Sequence, residues 1–131
     1  MRRARVSQVV AASPLGMGLL APPPAPPEWH PAPSAVRNAA SEAVRVVGEA
    51  QIAPVAVAWS VREAQQVSER MPVVVGMRSL REVHAAVEAW RWARDGDEGK
   101  KEELERKAAL ALGVFERTGT AGWTWASGNW A

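Results

Sequence analysis

Side chains able to do covalent or acid–base chemistry are few here, and most are crowded into one part of the chain. Of 131 residues none is cysteine and none is tyrosine. A thiolate nucleophile, a thiolate zinc site and a disulfide scaffold are excluded, and so is any reaction that needs a phenol as acid or base. The three lysines (Lys100, Lys101, Lys107) and the two aspartates (Asp95, Asp97) lie together near the C-terminus. Asp95–Asp97 opens no calcium loop, because Lys100 stands where the sixth position needs Gly and Arg106 where the twelfth needs Glu. Two histidines remain. His30 sits in a Pro-rich loop, where either solvation or substrate contact would suit it, and His84 sits on a helix, where exposure is expected. Ser79-Leu80-Arg81-Glu82 has the S-x-x-E spacing of a capping box, with cofactor contact as the other reading of Ser79 and Glu82. No set of residues points to a metal site, and none is assigned as catalytic.

The elements that would position these groups follow from apolar periodicity. Val6–Ala12 and Met71–Val75 are short, β-branched and apolar, as buried parallel strands are. Residues 13 to 33 form a Pro- and Gly-rich loop whose APPPAPPEWHPAP run is extended and partly polyproline II. That loop reads as a solvated connector or as a rim over a ligand site. Ser34 caps a helix from Ala35 to about Glu49 with Val36, Ala39, Ala40, Ala43, Val44 and Val47 on one face. A second helix starts around Pro54, and its apolar VAVAWSV run predicts burial almost all round. A third is expected over Leu80–Ala93 with Val83, Val87 and Trp90 inward, and a fourth from about Glu98 to Arg117 with a stripe of Leu104, Ala108, Leu112 and Phe115. The Glu98–Lys107 stretch of the fourth is a solvated charged face. Strands alternating with helices predict a parallel α/β sheet, but two strands neither bury both faces of a sheet nor close a barrel.

Two segments then resemble a known family. SPLGMGLL (Ser13–Leu20) is similar to the S-P-L-x-x-G-L-L segment after the seventh barrel strand of aldo/keto reductases, and VVVGMRS (Val73–Ser79) resembles the motif that ends their eighth strand. PVAVAW (Pro54–Trp59) resembles the helix between them, and WHPAP (Trp29–Pro33) resembles the L-galactose dehydrogenase and fungal D-arabinose dehydrogenase branch. The resemblance implies an α/β fold, the C-terminal fragment of a (β/α)8 TIM barrel: the last two β/α units over 6–94, then a C-terminal helix and Trp-rich tail over 95–131. It implies an NAD(P)-dependent oxidoreductase of the sugar dehydrogenase kind whose catalytic Asp, Tyr, Lys and His lie elsewhere. By the same resemblance, Ser13 offers a hydroxyl, Leu15 a backbone N–H, and Gly16 and Gly18 room for a pyrophosphate. Gly76, Arg78, Ser79 and Glu82 would serve the adenosine end. The family's Asn partner is replaced by Ala86, and the second basic residue beside Arg78 is replaced by Ser79. These departures favour NAD, with NADP still open through Arg78.

Charge limits the partners. Sixteen Lys+Arg face fourteen Asp+Glu, and the arginines are scattered among carboxylates, so no nucleic-acid stripe forms. Prolines and glycines interrupt the uncharged stretch from Val6 to Pro27, so no membrane span is expected there. Arg2, Arg3 and Arg5 before that stretch also fit an organelle-targeting segment, whereas the family resemblance accounts for Val6–Leu20 as strand and phosphate-side loop, and a cytoplasmic protein is the expectation. The expected partners are the nicotinamide cofactor, a small carbonyl or sugar in the complete protein, and other copies of the chain, through strand edges and apolar helix faces left uncovered.

Overall fold

The computed structural model describes residues 7–21 and 29–125. Arg2, Arg3 and Arg5, the prolines from Pro22 to Pro27, and Trp130 lie outside the described residues. Four helices dominate: α1 (Ser34–Val47), α2 (Ile52–Val67), α3 (Leu80–Asp95) and α4 (Glu98–Arg117). Two strands of two residues each, β1 (Ala11–Ala12) and β2 (Val73–Val74), pair in parallel, with Ala11 opposite Val73 and Ala12 opposite Val74.

This is a small helical domain, and the expected α/β TIM-barrel fragment is not what the chain forms. The predicted strands Val6–Ala12 and Met71–Val75 shrink to a two-residue ladder. A ladder that short makes too little surface for helices to lie on. The helices instead bury their apolar faces on one another, α2 against α3 and α1 against α4, with α4 also touching α2.

Local chemistry accounts for the helix ends. α1 begins at Ser34 itself: the cap position is Pro33 and no side chain caps it, so Ser34 is not the predicted cap. Pro33 still suits the boundary, because its fixed φ and missing N–H cost nothing before the first turn. Ser79 Oγ accepts from Glu82 N at 3.2 Å, as the capping box predicts, while the Glu82 carboxylate reaches Arg78 N rather than Ser79 N. Asp97 Oδ1 accepts from Lys100 N at 2.9 Å and starts α4. α1 ends at Gly48, whose φ of 100° and ψ of 133° let the chain turn directly into α2. Nothing lies within 4 Å of the point a Cβ would occupy there. Gly48→Ala should therefore destabilise by about 1–2 kcal/mol through backbone strain alone. Urea unfolding checks this, with Gly113→Ala inside α4 as the control that should not destabilise.

The core is built from small side chains. Val44, Val47, Ile52, Val55, Val57, Ala58, Val61, Ala89, Ala93, Leu104 and Ala108 form one buried cluster across all four helices. The predicted inner face of α1 is buried in full. That of α3 is not: Ala89 and Ala93 are its buried residues, while Val83, Val87 and Trp90 are 37–41% exposed. On α4, Leu104, Ala108 and Val114 are buried, whereas Leu112 is 43% exposed. Exposed ion pairs tie helices at the rim, Arg62 to Glu105 at 2.7 Å and Arg117 to Glu42 at 2.9 Å. Lys107 bonds both Glu103 and Gln51 and sits over the Trp92 ring. The hydrogen bond and charge of Lys107 hold the Glu103 carboxyl below its ordinary value.

Candidate functional site

The parallel pairing of β1 and β2 sets the geometry of the site. Both strands run the same way, so the turns that follow them leave from the same end. Ser13 N donates to Val74 O at 3.2 Å, which carries the ladder one residue past β1 and places the SPLGMG turn beside the Val75-Gly76-Met77 segment. Leu15 from the first turn and Gly76 and Met77 from the second line one open cleft, closed by Pro54 and Val57 of α2 and by Glu82 of α3. The cleft wall is apolar apart from Glu82.

The first turn is tightly wound. Gly16 N donates to Ser13 O at 2.8 Å, Gly18 N to Leu15 O at 3.1 Å and Leu19 N to Gly16 O at 3.2 Å. A single 3-10 turn covers Gly16–Gly18. Four residues here take left-handed backbone: Gly16 at φ 55°, Gly18 at 94°, Ser13 at 58° and Met17 at 60°. For Ser13 and Met17 that conformation costs on the order of 1 kcal/mol each, so the surroundings must hold it. Ser13 is exposed and Leu15 half-buried. Among the described residues, the Leu15 N–H has no backbone hydrogen-bond partner.

The second turn and the start of α3 carry the polar groups. The Arg78 side chain is 92% exposed and its guanidinium stands 3.8 Å from the Glu82 carboxylate. Glu82 is thus shared between its own cleft and the Arg78 amide and side chain, and Ser79 is engaged as the helix cap. An anion arriving at this helix start would meet Arg78 and the unbonded first-turn amides, with Glu82 as a built-in competitor. All eight residues expected to serve a cofactor are therefore near two adjoining turns. Leu15, Gly76 and Glu82 line the cleft itself. Ala86, in place of the family's Asn, lines it too and presents only a methyl group.

His30 falls differently from expectation. His30 is 2% exposed, with Nε2 2.9 Å from Gly16 O and Nδ1 accepting from Ala32 N at 3.1 Å. It is a core residue that holds the first turn, and neither solvated nor open to a substrate. The sequence signal for this was weak: one His between Trp29 and Pro31. Trp125 packs on the Leu19–Val36 cluster and meets the His30 ring edge-on at 5.9 Å, while Trp123 is 50% exposed. His84 is exposed, as expected for its helix position.

Among the described residues no group of three His, Cys, Asp or Glu side chains is placed to hold a metal. No single described helix is long and apolar enough to cross a membrane. No protein-family model matches the chain, and neither does any curated protein.

Proposed function

We propose that the chain binds the adenosine-phosphate half of a nicotinamide dinucleotide, NAD or NADP, and does not itself transfer hydride. The observation that carries this reading is the convergence of the two aldo/keto-reductase-like turns on one cleft. Residues 15 and 76 are 61 positions apart in sequence, yet both line it. An adenine ring suits an apolar slot walled by Leu15, Pro54, Val57 and Met77, with Glu82 accepting from its exocyclic amine. The phosphate would then lie at the rim, where the Arg78 guanidinium is held only loosely at 3.8 Å from Glu82 and is free to make a charge-assisted bond. Hydride transfer of the family kind uses a tyrosine as proton donor. This sequence has none, so the phenol that protonates the carbonyl in that family's reaction is missing here.

The reading is tested with NADH and NADPH, using energy transfer from tryptophan to the reduced nicotinamide, and with ADP-ribose and nicotinamide mononucleotide as competitors. Saturable binding displaced by ADP-ribose and not by the mononucleotide is expected. Arg78→Ala should weaken it about tenfold, the worth of one charge-assisted contact. No saturable binding at millimolar dinucleotide, or sugar-dependent turnover by the purified chain, would refute the proposal.

A further inference from the structure

His30 couples two segments through a ring that works in only one protonation state. The Ala32 N–H can only donate, so Nδ1, 3.1 Å away, must be bare. Nε2 therefore carries the proton of the neutral ring and donates to Gly16 O at 2.9 Å. One imidazole thus ties the SPLGMG turn to the start of α1, stacked on Trp29 and edge-on to Trp125, with 2% of its surface exposed.

A second proton has one place to go, Nδ1. There it would oppose the Ala32 N–H, donor against donor, and the bond would become a repulsion. The other charged group on this segment makes matters worse. The Arg37 guanidinium of α1 donates to the carbonyls of both His30 and Ala32 at 3.1 Å, so a cationic ring would stand beside a cationic side chain. The remaining elements around the ring offer no compensation among the described residues. The turn from Ser13 to Leu20 has no ionisable side chain, the C-terminal segment contributes Trp125, and the Glu42–Arg117 pair joining α1 to α4 is already neutralised. Glu28, two positions before His30, lies outside the described residues.

We infer that His30 is a proton-operated latch: neutral, it holds the Gly16–Gly18 turn against the 29–37 segment, and protonated, it lets that turn go. The stabilisation it gives is present while Nδ1 is bare and is lost when a proton occupies that nitrogen, so it falls away on acidification. Leu15, which walls the cleft, belongs to the released turn, so acid should also reshape the cleft.

The experiment uses the full chain and needs no ligand. Imidazole nitrogen NMR shifts report the tautomer directly, and His84→Gln removes the other histidine's signals. A neutral ring protonated at Nε2 is expected at pH 7.5. Between pH 7.5 and 5, one transition should appear in the Trp125 indole signal. Hydrogen exchange at Ala32 should become at least tenfold faster once the intrinsic pH effect is removed. His30→Gln keeps a donor toward Gly16 O but has no titrating nitrogen, so its transition should vanish, and Glu28→Gln should leave the transition in place. A ring protonated at Nδ1 at pH 7.5, an unchanged Ala32 exchange rate, or a transition that survives His30→Gln or disappears in Glu28→Gln would overturn the latch. The NMR measurement on His84→Gln decides the matter even if His30→Gln fails to fold.

Discussion

Leu104→Ala should remove about 3 kcal/mol of folding stability, the largest effect expected of any single truncation in α4. Leu104 is 0% exposed and sits in the cluster that joins the helices. Its neighbours there are mostly valines and alanines, and short side chains have little reach to fill a vacated space. The loss is therefore the transfer term of the deleted carbons plus most of the cavity term, which together run to 2–5 kcal/mol or roughly 3 here. A domain of this size is stable by on the order of 5–15 kcal/mol, so the variant should show a clearly lower urea midpoint at unchanged slope. Leu112→Ala on the same helix is the sharp contrast. Leu112 is 43% exposed, and its truncation should cost less than about 1 kcal/mol. Equal losses for the two would mean that α4 is rotated from the orientation described above.

If copies of the chain associate through α3, Val87→Glu should break the contact. Leu80 is 78% exposed, Val83 37%, Val87 40% and Trp90 41%, and together they make an apolar stripe along α3, whose Val87 and Trp90 border Val57 and Val61 of α2. The stripe runs on through a groove floored by Val73, Val75 and Met77, beside Val74, which is 56% exposed. A continuous exposed apolar band of this kind is a site of association. Each strand of the two-stranded sheet has one edge that no described strand pairs, and such edges invite backbone pairing. We expect a second copy to cover this face. In a two-fold contact each substitution acts twice. Val87 has only its exposed 40% left to bury, about 0.6 kcal/mol per copy, so the lost burial alone weakens the contact by somewhat under tenfold, and two new carboxylates facing each other add repulsion. Sedimentation velocity of the parent and the variant reads this directly. A parent chain that stays monomeric at high concentration, or a variant that associates as tightly, would show that the stripe is not an interface. Arg94, which lies over the Trp90 ring at 4.8 Å, provides a second handle, since its removal uncovers the indole without adding a charge.

Both predictions turn on which side of a helix faces inward, and α3 and α4 show why sequence reading was uneven on this point. α3 carries two stripes at helical spacing, one of Val83, Val87 and Trp90 and one of Ala86, Ala89 and Ala93. Hydrophobicity alone favours the first. The structure buries Ala89 and Ala93 instead, because α3 lies against α2 at Val57, Ala58 and Val61, where only small side chains let two helix backbones come close. On α4 the surroundings change along the helix: Leu104 and Ala108 pack in the cluster shared by all four helices, while Val114 packs on Ala39 and Ala43 of α1 alone, and Leu112 is left outside. By contrast α1 has one strongly apolar face and no rival, and each of its six predicted inward residues is buried.

The candidate site was legible as two turns, from SPLGMG and GMRS, with the capping box beside them. What could not be read was that Glu82 would spend its carboxylate on Arg78, or that His30 would be buried with both nitrogens engaged. A side chain's partners depend on residues far away in the chain, such as Gly16 for His30, and neither spacing nor residue type encodes that distance.

Sequence alone determined where the helices run and how α3 begins, because those depend on interactions within three or four residues, and it determined that no tyrosine or thiol chemistry takes place here. Tertiary structure decided the fold class, the inward faces of α3 and α4 and the role of His30. Each is a competition between alternative burials of similar apolar content, and only the shape of the neighbouring element breaks the tie.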